Sequence, residues 1–316
     1  MLVSAERGSR PRRFHHRVFS AAGLAAAKGA TTVSVCLPAR NEAATIGQIV
    51  ATVRTELVDR CRLVDEIIVA DDHSVDATAT VARGAGATVV PVAAPADEPS
   101  GKGAAMRTAV AASIGEAVVF LDADVENFAS HFVVGLLGPL LSEPGITFVK
   151  ATYRRPLAGA SGEGGRVTEL VAKPLLALLQ PELACFSQPL AGEIAARRSV
   201  ITSCSLPADY GVDVALLLDV ARRFGLDQMA EVDLDERVHR NRPLSELAPQ
   251  ARSVTRAILQ RTHVGDAPGS APRVREPSPT LVPGRSSDTA RTGWTALRGD
   301  GARTRQEEPC QRLRPS

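Results

Sequence analysis

Between residues 31 and 124 the chain repeats one pattern: a short apolar run, a polar loop, then a segment with apolar residues at helical spacing. "TTVSVCLPARNE" (31–42) reads as a buried strand running into a Pro-containing loop, and "AATIGQIVATVRTEL" (43–57) as the helix after it. "DEIIVADDHSVDAT" (65–78) reads as a strand and an acidic loop, with Asp76 placed to cap the next helix. "ATVVPV" (87–92) is a third strand, "GKGAAMRTAVAAS" (101–113) a helix opened by a lysine between glycines, and "AVVFLDAD" (117–124) a fourth strand. Strand–helix alternation with short connections specifies a parallel sheet covered by helices on both faces. In such a sheet, ligands bind beyond the carboxyl ends of the strands. Four loops therefore carry the interest: "PARNE", "DDHS", "GKG" and "DAD".

Past residue 140 the alternation loosens. "GITFVKATYRR" (145–155) reads as a long strand, and "GEGGRVTELVAKPLLALL" (162–179) as a Gly-rich loop feeding an amphipathic helix. "GVDVALLLDVARRFG" (211–225) is a further helix, and "MAEVDLDERVHRNRPLSEL" (229–247) a strand, a basic loop and a helix. From about residue 264 the text is Pro, Gly, Ser and Arg without periodicity, as expected of a disordered tail. The domain reading is a basic leader (1–31), a Rossmann-like half (32–140), a second half (141–263) and the tail (264–316).

Charge is unevenly spread. Residues 1–31 carry a net +5 and 267–316 a net +4, which leaves 32–266 at −7 within a chain of net +2. An acidic body with few aromatic residues (3%) argues against a nucleic-acid binder, which needs a basic face and stacking platforms. The five cysteines are irregularly spaced with no CxxC, which fits reduced thiols in a cytosol, with Cys36 as a core filler. No run reaches the ~18 apolar residues that a membrane helix needs, so no membrane anchor is expected. The start, "RPRRFHHRVFSAAGLAAAKG", loosely resembles a signal peptide, but its apolar part is short, Ala-rich and closed by Lys28.

No G-x-G-x-x-G follows the first strand, and there is no G-x-x-x-x-G-K-[ST], so the sheet lacks both usual phosphate fingerprints. The D-x-D of Asp122 and Asp124 suits a hard divalent cation, Mg²⁺ or Mn²⁺, that bridges to substrate phosphates, though the same tripeptide also serves as a polar turn or helix cap. Lys102 near a helix start suits a phosphate contact. In "ERVHRNRP" (236–243), His239 can complete a metal shell and Arg237 can pair with phosphate. "GGRVT" (164–168) sets Arg166 and Thr168 at a helix start, a plausible anion site.

The set "LPARNE", "ADDHSVD", "GKG", "FLDAD", "VKATYRRP", "GGRVTELVAKPLL", "PLAGEIAARR", "DYGVDVALLLD" and "VHRNRPL" resembles, in order and spacing, the glucosyl-3-phosphoglycerate synthases. These are retaining glycosyltransferases of the GT-A fold, an α/β fold with a Rossmann-like, mostly parallel sheet, helices on both faces and a smaller acceptor-binding part. The resemblance covers roughly residues 14–262. "FHHR" matches as well, which favours a folded leader over an export signal.

The resemblance implies UDP-glucose as donor, 3-phosphoglycerate as acceptor, Mg²⁺ (or Mn²⁺) as cofactor, a homodimer and a cytoplasmic location. It places Pro38, Ala39 and Glu42 at uracil and ribose, Asp72 where a serine contacts uracil, and Lys102 near the nucleotide. Asp122 and Ala123 fall at the ribose, Asp124 and His239 at the metal, and Arg237 at the diphosphate. Gly165, Arg166, Thr168 and Asn241 fall at the acceptor, and Tyr210 and Asp213 beside the donor sugar. Three departures stand out: Ala123 replaces a serine, Asp72 adds a negative charge near the nucleotide, and Asp213 is one methylene shorter than the usual glutamate. Asp213 is expected to orient the sugar; retention leaves both a covalent carboxylate intermediate and same-face attack open. Other readings are a same-fold transferase using GDP-mannose or a polyprenyl phosphate, a nucleotidyltransferase, and a non-catalytic sugar-nucleotide sensor.

Overall fold

The computed structural model describes residues 10–93, 101–157, 160–161, 165–239 and 244–262, all in one compact unit. Asn241 and the segment from 264 lie outside the described residues. The strands are β1 (Arg12–His15), β2 (Val33–Ala39), β3 (Glu66–Asp71), β4 (Thr88–Pro91), β5 (Ala117–Phe120), β6 (Phe148–Arg154), the short pair β7 (Pro156–Leu157) and β8 (Ala160–Ser161), β9 (Ile194–Arg197) and β10 (Met229–Glu236). The helices are α1 (Ala21–Ala27), α2 (Ile46–Thr52), α3 (Thr78–Gly84), α4 (Lys102–Ala112), α5 (His131–Ser142), α6 (Lys173–Leu179), α7 (Arg198–Ser203), α8 (Val212–Phe224) and α9 (Leu244–Arg261).

Eight strands form one sheet in the order β1-β10-β6-β9-β5-β2-β3-β4. Every neighbouring pair is parallel except those of β9, which runs antiparallel to both β5 and β6. Two apolar layers cover its faces. One gathers Val35, Leu37, Ile49, Leu57, Phe132, Leu136 and Val149, so α2 and α5 lie on that face. The other gathers Cys36, Ile68, Met106, Phe120, Leu216 and Ile258, so α4, α8 and α9 lie on the opposite one. Successive residues of β2 (Val35 and Cys36) enter opposite layers, as the two-residue period of a strand requires. This double coverage explains why the strand runs read as continuously apolar.

Strands β2, β3 and β4 step outward in one direction, while β5 lies on the other side of β2. The carboxyl ends of β2 and β5 therefore flank the point where strand order reverses, the place where an open α/β sheet leaves a crevice. Both sequence halves contribute to this single sheet, since β6, β9 and β10 continue it beyond β5. The basic leader supplies β1, which pairs with β10 (Arg12 opposite Ala230, His15 opposite Asp233). Helix α5 escaped the sequence reading because nine of its residues are buried and no polar face marks its period. Cys36 is buried, and burial pushes its thiol up to about 12, so it is inert packing. No helix among the described residues is long and apolar enough to cross a membrane.

Candidate active site

The first wall of the crevice is the end of β2. Pro38 lies inside the strand, opposite Ala70 of β3, rather than in the loop after it as the sequence suggested. The strand tolerates it because Cys36 faces β5 (its carbonyl accepts from Leu121 N at 3.1 Å) and Ala39 faces β3 (its carbonyl accepts from Asp72 N at 2.8 Å). Pro38 therefore turns its missing N–H toward the side where β5 has already ended, so no ladder bond is lost. Asp72 follows β3, buried between His73 (3.0 Å) and Arg40 (3.7 Å). Asp76 accepts from the Thr78 amide at 3.0 Å at the start of α3 and from the Ala43 amide at 3.2 Å, tying the two loops together.

The floor is set by "DAD". The segment after β5 is stitched to the one after β10 by the Val125–His239 bridge, by Glu126 N to Val238 O (2.9 Å), and by Asn127, which bonds both Val238 N and Glu236 O. These bonds draw Asp124 and His239, distant in sequence, to one spot. Lys102 opens α4 and reaches Asp122 (2.7 Å) and Asp213 (2.8 Å). Arg237, 2% exposed, donates to Asp122 (2.9 Å), Asp124 (2.8 Å) and Glu193 (2.6 Å). Glu193, fully buried, also accepts from the Tyr153 hydroxyl at 2.7 Å. Asp213 sits in the first turn of α8, where the helix dipole favours a negative charge. Its Oδ1 is buried with no protein partner.

The electrostatics follow from this packing. Burial alone would discharge Lys102, but the Asp122 and Asp213 carboxylates hold it well above its ordinary value, so the ammonium persists. Asp122, although buried, is held far below its usual range by Lys102 and Arg237. Burial wins at Asp213 and raises its carboxyl, with Lys102 offsetting only part. Tyr153 is pushed up by burial and keeps its proton, with which it donates a hydrogen bond to Glu193. Burial, then the charges of Arg237 and Arg155, lowers His239, so its imidazole is neutral at ordinary pH.

The second wall comes from the turn before α6. Gly165, Arg166 and Thr168 line it, with Thr168 opening a widened π-helical turn (Thr168–Ala172) and 2% exposed. Tyr210 stands just before α8. All the described residues expected at the site border one open cleft of about 420 Å³: Pro38, Ala39, Glu42, Asp72, Lys102, Asp122, Ala123, Asp124, Gly165, Arg166, Thr168, Tyr210, Asp213, Arg237 and His239. Asn241 lies outside the described residues.

Two readings change. The glycines of "GKG" admit a neighbouring backbone rather than cradle an anion. A Cβ on Gly103 would lie 1.7 Å from the Pro207 carbonyl, and the Ala104 amide is taken by Ala208 O at 3.0 Å. Arg237, expected to point at phosphate, spends its hydrogen bonds on carboxylates. The sequence reading also missed Glu193, Gly192, Lys150 and Arg155. A Cβ on Gly192 would lie 2.2 Å from Asp122 Oδ1 and 2.3 Å from Lys102 Nζ, so the Lys–Asp pair packs directly on that backbone. Lys150, fully buried and pushed down to about 8 by burial, holds the Ala191 carbonyl at 2.8 Å. The signal was available: "GE" in "PLAGEIAARR" and Lys150 in a strand are charges or gaps in otherwise apolar text.

Asp124 and His239 line the same cleft, with Arg237 bonded to both Asp122 and Asp124; a carboxylate and a neutral imidazole are donor types that suit Mg²⁺ or Mn²⁺ when substrate phosphate oxygens complete the shell. A D-x-D and a histidine at the switch point of such a sheet, facing an anion-friendly wall, define a GT-A glycosyltransferase. The Glycosyl transferase family 2 profile matches residues 34–155. Glucosyl-3-phosphoglycerate synthase of Mycolicibacterium smegmatis is 46% identical over 256 residues, 79% of this chain and 84% of that protein. The Petrotoga mobilis enzyme of the same name is 41% identical over 236 residues, 72% of this chain and 73% of that one. A crystal structure of the Mycobacterium tuberculosis enzyme with Mn²⁺, UDP-glucose and phosphoglyceric acid superposes with a TM-score of 0.74 at 43% identity, covering 81% of this chain and 89% of that one. The chain belongs to the glucosyl-3-phosphoglycerate synthase family.

Proposed function

We propose that this enzyme transfers glucose from UDP-glucose to the C2 hydroxyl of 3-phosphoglycerate, with retention at the anomeric carbon, to give glucosyl-3-phosphoglycerate. The observation that carries this reading is the convergence of the donor-side and acceptor-side residues on one cleft. The family's named relatives and the Mycobacterium tuberculosis complexes with UDP-glucose, phosphoglyceric acid and glucosyl-3-phosphoglycerate support it.

In this reading the 32–140 half binds the nucleotide sugar and the 141–263 half the acceptor. Pro38, Ala39, Glu42 and Asp72 contact uracil and ribose, with Asp122 and Ala123 at the ribose. Asp124 and His239 hold a Mg²⁺ or Mn²⁺ ion, which supplies charge neutralisation to the diphosphate. Lys102 and Arg237 add fixed positive charge beneath it, already oriented by Asp213, Asp122 and Glu193, so little reorganisation is needed as charge develops. Asp213 Oδ1, buried and unpartnered, accepts from a glucose hydroxyl; with Oδ2 clamped by Lys102, this carboxylate orients the sugar rather than attacks it. Tyr210 packs beside that sugar. Arg166, Thr168, Gly165 and Asn241 receive the acceptor and present its hydroxyl to the anomeric carbon, so much of the acceleration comes from positioning.

A cytoplasmic location fits the unpaired thiols of Cys36, Cys61, Cys185 and Cys204, and light scattering tests a homodimer directly. Incubation with Mg²⁺, UDP-glucose and 3-phosphoglycerate, followed by product analysis, is expected to yield glucosyl-3-phosphoglycerate. GDP-mannose is the control donor. Preferential consumption of GDP-mannose, or transfer to an acceptor other than phosphoglycerate, would sink the reading.

A further inference from the structure

Arg155, the residue after β6, stands on the cleft wall between the floor and the Gly165–Thr168 turn. Its Nη2 donates to the Tyr153 hydroxyl at 2.8 Å, and its guanidinium lies over the Tyr153 ring at 5.0 Å. Gly165 closes over it, so that a Cβ there would meet Arg155 Cδ at 3.4 Å. Among the described residues no carboxylate lies within ion-pair distance of Arg155, and its buried Nε has no hydrogen-bond partner. The other cations of the floor, Lys102 and Arg237, are each paired with at least two carboxylates. A half-buried guanidinium fixed in orientation and left without a counter-ion is a site for an anion.

We infer that Arg155 is a specificity-determining contact for the carboxylate of the acceptor, an inference that rests on the acceptor reading above. The acceptor carries two anions on either side of its reacting C2 hydroxyl. Its carboxylate is bonded directly to C2, whereas its phosphate is reached through a further carbon and oxygen. The carboxylate therefore stays near the reacting floor, and the phosphate reaches outward. Arg155 is the floor-side cation: the contacts Arg155–Tyr153–Glu193–Arg237 tie it to the "DAD" segment. Arg166 and Thr168 belong to the outer wall and take the phosphate.

Calorimetric titration with 3-phosphoglycerate and with glycerol 3-phosphate, which keeps the phosphate and lacks the carboxylate, separates the two anions. It is done on enzyme holding Mg²⁺ and UDP. The wild type is expected to prefer phosphoglycerate. Arg155→Met should weaken phosphoglycerate by roughly 10- to 100-fold and leave glycerol 3-phosphate within about twofold. Arg155→Lys, which keeps the charge and loses the fork, should fall between. UDP affinity reports the integrity of the floor and should be unchanged in both. Equal weakening of both ligands, or no change in either, overturns the assignment. Failure of the wild type to bind phosphoglycerate overturns the acceptor reading, and the assignment with it.

Discussion

The floor and the outer wall of the cleft are built on opposite plans. On the floor, Lys102, Asp122, Asp213, Arg237 and Glu193 interlock: Asp213 is held by Lys102, and each of the others by two or more partners from different strands and helices. Removing one partner from such a buried set leaves an uncompensated charge and costs about 3–5 kcal/mol. The outer wall presents one buried hydroxyl, Thr168, with Arg166 just before its widened helical turn, and Arg155 stands between wall and floor at the end of β6. The floor holds its charges in fixed orientation against one another, whereas Arg155, beside the wall, has no carboxylate partner among the described residues. Floor substitutions should therefore act on kcat and wall substitutions on KM.

The sharpest way to break this contrast is Asp124→Ala, expected to lower turnover about 1,000-fold with Mn²⁺ binding lost by paramagnetic resonance. Undiminished transfer would remove the cation from the floor. Gly192→Ala forces a methyl into the Asp122–Lys102 pair and should lower kcat about 100-fold with phosphoglycerate KM nearly constant. A KM effect instead would show that the floor is not rigid. Arg166→Ala should raise phosphoglycerate KM about 10- to 30-fold while UDP affinity, read by calorimetry, stays put.

The pH dependence of Mn²⁺ affinity sharpens the comparison further. In the proposed metal site a proton on His239 would compete with the cation, and His239 is lowered from 6.5 by burial and by Arg237 and Arg155. Affinity should hold as pH falls through 6.5 and decline only below it. A decline that begins above 6.5 contradicts the neutral imidazole. The smallest effect expected is from Asp72→Ser, which removes a negative charge from the cleft wall where the proposed reading puts the nucleotide, and should tighten UDP by about two- to fivefold.

The contrast also explains what could be read from the sequence. The sheet half at 31–124 was legible because each strand is an apolar run that ends in a loaded loop. "GGRVT" and "VHRNRP" were legible because the residues of a wall or a ligand set sit close together in the text. Glu193 was not, because its meaning comes from Tyr153 on β6 and Arg237 past β10. Strand β9 is four residues long and runs against its neighbours, which brings its amino end, with Gly192 and Glu193, to the mouth where the parallel strands bring their carboxyl ends. Direction is a property of the sheet and leaves no local mark. Strand β1 hid in a basic leader because its partner, β10, is its neighbour in the sheet but lies more than two hundred residues away in the sequence, about 218 from Arg12 to Ala230.

That last pairing has a consequence for how the protein is made. Arg12 emerges from the ribosome well ahead of its partner Ala230, by an interval of roughly ten to forty seconds at ordinary translation speeds. For that time β1 is a strand without a neighbour, the state in which chains stick to one another. Its Arg12 and Arg13, and Arg17 just beyond it, put like charge on the waiting strand, which disfavours its pairing with another copy. They later find Glu143, Glu231 and Asp235, so charges that guard the nascent chain end as the latch on the finished sheet.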